Sequence, residues 1–156
     1  MAEKNIKDKE YLSKVEEVVL SYFDSNYNCA ESVSLAFKHF MGDIDFFPRI
    51  ATPFGAGIGR KGYICGALTA GLICIGYVSG RESAGDDRKL SYKPAGRLLD
   101  EFKQMFGHTD CNIISKVDWN TDEGIRQYLE RVHYEVCHKV VSFVSCWLYK
   151  NGIMKI

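Results

Sequence analysis

Apolar residues recur at helical spacing through most of the chain. Tyr11, Leu12, Val15, Val18, Val19, Tyr22 and Phe23 lie on one face of a segment running from Ile6 to Phe23, which predicts an amphipathic helix. Asn26 to Asn28 break it, and Asn28 suits an N-cap for a second helix from Cys29 to about Phe40, closed by Gly42. Asp43 to Gly59 holds Pro48, Pro53 and several aromatics and reads as a packed loop. A glycine-studded stretch follows and passes into an uncharged apolar run, Gly62 to Gly80, read as a buried central helix with Cys65 in its first turn. The charged RESAGDDRK segment is a solvated connection. Pro94 suits the first turn of a helix through Leu98, Leu99, Phe102, Met105 and Phe106, whereas a start nearer Asp86 would place a kink there. Asp110 heads a short helical turn at Cys111, and Asn120 with Glu123 reads as a capping pair for a long last helix to Lys150. Alternating strand patterns are scarce and no repeat is visible. The expectation is an all-α, compact single-domain bundle of about five helices, spanning 1–156, around the central glycine-rich helix.

Composition narrows the function. The 156 residues are 46% hydrophobic, enough for one core, and their 20 basic and 20 acidic side chains give no net field that favours nucleic acid. Gly62 to Gly80 nearly matches a membrane span in length, but its interior glycines and the lack of a second such segment favour a buried helix. The polar start MAEKNIKDKE has no apolar signal region, so a cytoplasmic protein is expected. In a reducing compartment the six cysteines are then free core thiols, metal ligands or redox groups rather than a disulfide framework.

Helical geometry sorts those cysteines. Positions nine apart on a helix face opposite sides, which separates Cys65 from Cys74 and Cys137 from Cys146. A common site can therefore take Cys29, Cys111, one cysteine of the central helix and one of the last. Cys29, Cys65 and Cys111 each fall at an expected helix start, where free N–H groups favour a thiolate. Cys74 sits among apolar neighbours and Cys146 near a helix end, both suited to packing, while Cys137 has His133 and His138 beside it. All six acting as packing residues is the competing reading, since buried free cysteine is common and no CxxC pair occurs.

The surroundings of these cysteines resemble the C_GCAxxG_C_C family, named for redox activity and for four characteristic cysteines. The matching pieces are Asn28-Cys29-Ala30, FGAGIG at Phe54 to Gly59, Cys65-Gly66-Ala67, Phe106-Gly107 with Cys111 beyond, and Cys137. Ala70 stands where the family has glycine, with Gly71 following. The resemblance implies redox work by Cys29, Cys65, Cys111 and Cys137, the same four that geometry retains. Four converging thiolates suit an iron–sulfur cluster or a tetrahedral zinc, and they also suit two reversible disulfides. A cluster or cycling thiols for electron transfer rank first, with a redox partner protein implied. The alternative is a non-catalytic helical module with structural zinc or packing cysteines, working in a partner complex. A homo-oligomer is compatible with either.

Other signals are weaker. Gly57-x-Gly59-x-x-Gly62 spells a dinucleotide fingerprint, but no strand precedes it. Its glycines read instead as a tight loop over the central helix, with N–H groups free to reach cysteine sulfur. His108 and His133 are candidate ligands or donors beside Cys111 and Cys137, with exposed helix surface as the more expected place. Trp119, Trp147, Tyr128 and Tyr134 read as core or subunit contacts.

Overall fold

The computed structural model describes residues 2–156, with side chains from residue 7 onward. The predicted start of the first helix at Ile6 therefore lies outside the described side chains, although the helical backbone begins at Ala2. The helices are α1 (Ala2–Phe23), α2 (Cys29–Met41), α3 (Gly66–Ser79), α4 (Lys89–Phe106), α5 (Cys111–Ser115), α6 (Asp122–Gln127) and α7 (His138–Lys150). A π-helical segment, Tyr128–Cys137, joins α6 to α7 in one unbroken rod. Among the described residues there is no strand, only an isolated antiparallel bridge between Ile64 and Asp110. The all-α expectation holds.

The apolar helix α3 is the hub and packs against α2, α4 and α7, while α1 closes the far side against α2 and α7. Ala67, Leu68, Ala70, Cys74 and Ile75 are fully buried along it. Removing a side chain such as Leu68 from water contributes about 1.5–3 kcal/mol. Close approach accounts for Gly71, where a Cβ would meet Val144 at 2.7 Å and Leu98 at 2.9 Å. The neighbouring Ala70 is fully buried in the same core. No described helix is long and apolar enough to cross a membrane.

Several local expectations change. The central helix begins at Gly66 rather than Gly62, so Cys65 is its N-cap residue and not part of its first turn. The stretch before it is held extended by the Ile64–Asp110 bridge, which withholds those residues from the helix. Pro94 lies inside α4, which starts at Lys89. A proline in the second turn removes one backbone donor, and the helix accommodates it. The last rod is capped by Thr121, whose hydroxyl accepts the Gly124 N–H at 3.0 Å, instead of by Asn120. Glu123 pairs with Arg126 and Gln127 and does not reach back to cap.

Candidate functional site at the four cysteines

Each cysteine arrives on a different element, fixed by local chemistry. Asn28 caps α2 through a capping box: its Oδ1 accepts from the N–H groups of Ala30 and Glu31, and Glu31 accepts the Asn28 N–H at 2.8 Å. Such a cap contributes about 1 kcal/mol. The same pair grips the next loop, because Asn28 Nδ2 donates to Thr52 O and the Thr52 hydroxyl donates to Glu31 at 2.6 Å. Cys29 is thereby locked beneath residues 52–60. Cys65 and Cys111 are brought side by side by a short ladder: Cys65 N–H donates to Thr109 O at 2.8 Å and Cys111 N–H to Tyr63 O at 2.6 Å. Cys137 is the last residue of the π-helical segment.

The loop above them is bent unusually. Ala56, Gly57, Ile58, Gly59 and Arg60 all have left-handed φ, between 51° and 70°. For the non-glycine residues this costs about 1–2 kcal/mol each, and a β-branched residue such as Ile58 is least suited to it. Backbone hydrogen bonds hold the turn, among them Gly59 N–H to Pro53 O at 2.8 Å and Tyr63 N–H to Gly57 O at 3.0 Å. The Ala56 N–H comes near enough to Cys29 to favour its thiolate, as do the N–H groups of Ala67 and Ala30. Gly57 packs directly on Cys111, where a Cβ would lie 2.7 Å from the Cys111 Cβ. Gly66 packs on Cys29, where a Cβ would lie 2.8 Å from Sγ.

Cys29, Cys65, Cys111 and Cys137 line one cavity of about 470 Å³, walled also by Phe23, Ala56, Trp119, Ile125, Tyr128 and Leu129. Cys74 and Cys146 are elsewhere. Cys74 is fully buried in the core, and the Cys146 thiol approaches Leu12 O at 3.8 Å against α1. Among the described residues no three cysteine sulfurs lie within 4.8 Å of one another. Tetrahedral zinc with Zn–S of about 2.3 Å would hold its sulfurs about 3.8 Å apart. The four thiols are thus spread around a space and do not close on a point.

Electrostatics correct one expectation. Helix starts were expected to favour thiolates, yet all four thiols are pushed up. Burial raises Cys29, and it raises Cys65 further with the help of the neighbouring Cys29 and Cys111 sulfurs. Cys111 is pushed up to about 11 by burial and by Cys29, and Cys137 is raised for the same reasons. Desolvation outweighs the backbone donors, and ionising one thiol makes the next harder to ionise. Burial and mutual repulsion thus disfavour several thiolates at once, and a bound cation would offset both effects.

Neither candidate histidine lines the cavity. His108 is half-exposed beside α5, its Nδ1 accepting the Asp110 N–H at 3.0 Å, and Asp110 makes no side-chain cap to α5. His133 is not exposed helix surface: the π-helical register turns it toward Asp24, with 13% of its side chain accessible. Sequence reasoning missed the wall residues. Trp119 and Tyr128 read as ordinary core aromatics, yet Trp119 Nε1–H is buried without a hydrogen-bond partner and faces the Cys111 sulfur closely enough to favour its thiolate. An indole eight residues after a candidate cysteine is the one trace of this in the sequence.

No curated protein and no solved structure matches the chain. The family model described as "Putative redox-active protein (C_GCAxxG_C_C)" matches residues 27–150, a stretch that contains all four cavity cysteines and every wall segment except the end of α1. The chain belongs to the C_GCAxxG_C_C family.

Proposed function

We propose that Cys29, Cys65, Cys111 and Cys137 hold an iron–sulfur cluster and that the protein is an electron carrier. The observation that carries this reading is one cavity of about 470 Å³ shared by four thiols too widely spaced to close on a single ion. A cluster takes its cysteines on different iron atoms and needs room between them. The donor set fits in a second respect, because the orphaned Trp119 Nε1–H would find an acceptor in cluster or cysteine sulfur. When bound, such a cluster supplies reversible one-electron exchange.

The residues around it have definable tasks. Ala56, Ala30 and Ala67 N–H groups at Cys29, with the Trp119 N–H at Cys111, offset added negative charge on sulfur and so raise the potential. Phe23, Ile125 and Leu129 keep water from the sulfurs. Cys65 and Cys111 are buried, whereas Cys29 and Cys137 are only half-buried, so electrons would pass to a partner protein on the Cys29–Cys137 side. A cytoplasmic setting belongs to the same reading.

The test is anaerobic purification followed by iron, sulfide and zinc analysis with visible and electron paramagnetic resonance spectra. Iron and acid-labile sulfide in matched amounts, lost in Cys29→Ser or Cys137→Ser, support the cluster. Stoichiometric zinc, or a metal-free protein whose thiol titre falls and recovers on mild oxidation and reduction, would overturn it.

A further inference from the structure

Outside the cysteine cavity, three potential ligand atoms converge at the end of α1. Asp24 Oδ1 lies 2.9 Å from His133 Nε2 and 2.7 Å from His138 Nε2, and all three atoms are within 4.8 Å of one another. The register that achieves this is unusual. In an α-helix residues five apart point in different directions, but the i→i+5 bonding of the π-helical segment widens the turn until His133 and His138 share a face. π-helical geometry is rare and appears mostly at functional sites, so ten residues of it ending between the two imidazoles needs a reason.

We infer that Asp24, His133 and His138 form a binding site for a divalent transition cation of the zinc or iron(II) class, separate from the cysteine cavity and independent of what that cavity holds. The ligand set, two imidazoles and a carboxylate, suits borderline cations over calcium or magnesium. Ligand atoms about 2.0–2.1 Å from a tetrahedral zinc would lie about 3.3–3.4 Å apart. The Asp24 and histidine atoms, now at hydrogen-bond separations of 2.9 and 2.7 Å, need spread by only about half an ångström to admit the ion.

The surroundings prepare His133 for this role. Tyr128 Oη sits 3.0 Å from Nδ1, so a metal on Nε2 leaves the proton on Nδ1, where it is donated to the phenol oxygen. Phe23 stacks on the His133 ring at 4.2 Å between centroids and 14° between planes, which fixes its orientation. Both His133 and His138 are mostly covered, while Asp24 keeps 46% of its side chain open and gives the ion a route in. With three protein ligands, positions remain for water or a small oxygen ligand.

Histidine-selective ¹⁵N NMR of the full chain during addition of zinc(II) tests the site. Expected are shifts of the Nε2 signals of two of the four histidines, complete at one equivalent bound there. His138→Gln keeps a hydrogen-bond donor toward Asp24 but removes the ligand, and Asp24→Asn keeps the shape but removes the charge. Each should weaken the response of His133 at least about tenfold while circular dichroism shows the fold intact. Unmoved ring nitrogens in the unaltered protein, or an unchanged zinc response of His133 in His138→Gln, would show a plain hydrogen-bonded knot and overturn the site. Iron and sulfide content reads the cysteine cavity separately, so failure there does not register here.

Discussion

Two glycines on α3 should respond to the same substitution with opposite signs. Gly66 opens the helix against the cavity, and a Cβ there would lie 2.8 Å from the Cys29 sulfur, with the Phe54 carbonyl closer still. Its φ is not left-handed, so the collision alone decides the outcome. The carbonyl is backbone, and Cys29 is pinned by the Asn28 capping box, so neither neighbour yields easily. Overpacking of this kind costs about 1–3 kcal/mol. Gly76 lies two turns and more along the same helix with nothing within 4 Å of the added methyl, and Gly→Ala there should stabilise by about 0.5–1 kcal/mol. Urea unfolding should therefore separate Gly66→Ala from Gly76→Ala by about 1.5–4 kcal/mol, with the original protein between them. On the proposed cluster reading, Gly66→Ala should also lose iron, because Cys29 must shift to admit the methyl, while Gly76→Ala keeps it. Equal midpoints for the two variants, or full iron content in Gly66→Ala, would refute the idea that α3 begins with glycine to let Cys29 in.

Three further outcomes follow from the site. Cys111 has its folded pKa raised from 9.0 to about 11, so its contribution is intact below pH 9 and lost as pH rises through 11. Metal-free protein should lose about 3 kcal/mol from this group over that window, so its alkaline fall should be shallower by that amount in Cys111→Ser, where the other raised thiols still contribute; an equally steep fall in Cys111→Ser would contradict it. Trp119→Phe removes the orphaned N–H facing Cys111 and should lower the reduction potential measured by voltammetry; an unchanged or higher potential means the indole does not reach the sulfur. Cys65→Ser should abolish the metal or redox response, whereas Cys74→Ser should retain it and lose only about 1–3 kcal/mol of stability from a buried hydroxyl, and the reverse pattern in metal analysis would place the site wrongly.

What the sequence made legible were features with a strong local cause. The Asn28 cap, the burial of the uncharged run in α3 and the sorting of Cys74 and Cys146 away from the cavity all rest on short-range geometry that the structure repeats. Misses arose where tertiary contact overruled a local signal. Gly62 to Cys65 reads as helix from its apolarity, but backbone bonding to Thr109, Cys111 and Asn112 keeps it extended. Pro94 suits a helix start, yet α4 begins at Lys89 and runs through it, nearer the alternative start by Asp86. Helix N-termini favour a thiolate, but desolvation on burial is the larger effect at these cysteines. Most consequential was the assumption of one α-helical register from Thr121 to Lys150, under which His133 shares a face with Cys137.

The π-helical segment settles why that assumption fails and what it hides. Under α-helical bonding, Tyr128 and Cys137, nine apart, would point to opposite sides, and His133 and His138 would diverge. In the wider turn Tyr128 and Cys137 both face the cysteine cavity, while His133 and His138 both meet Asp24. Tyr128 belongs to both places, since it walls the cavity and its hydroxyl reaches His133. Burial raises its pKa, with Cys137 and Cys29 adding to the effect, so the phenol stays protonated and serves as a hydrogen-bonding strut. Asp24, for its part, is pushed up by desolvation but held below the usual carboxylate value by its bonds to the two imidazoles, which keeps it anionic at the end of α1. One irregular segment thus fixes the fourth cysteine and the second cluster of ligands together. Restoring regular α-helix here would gain hydrogen-bond geometry and lose both arrangements.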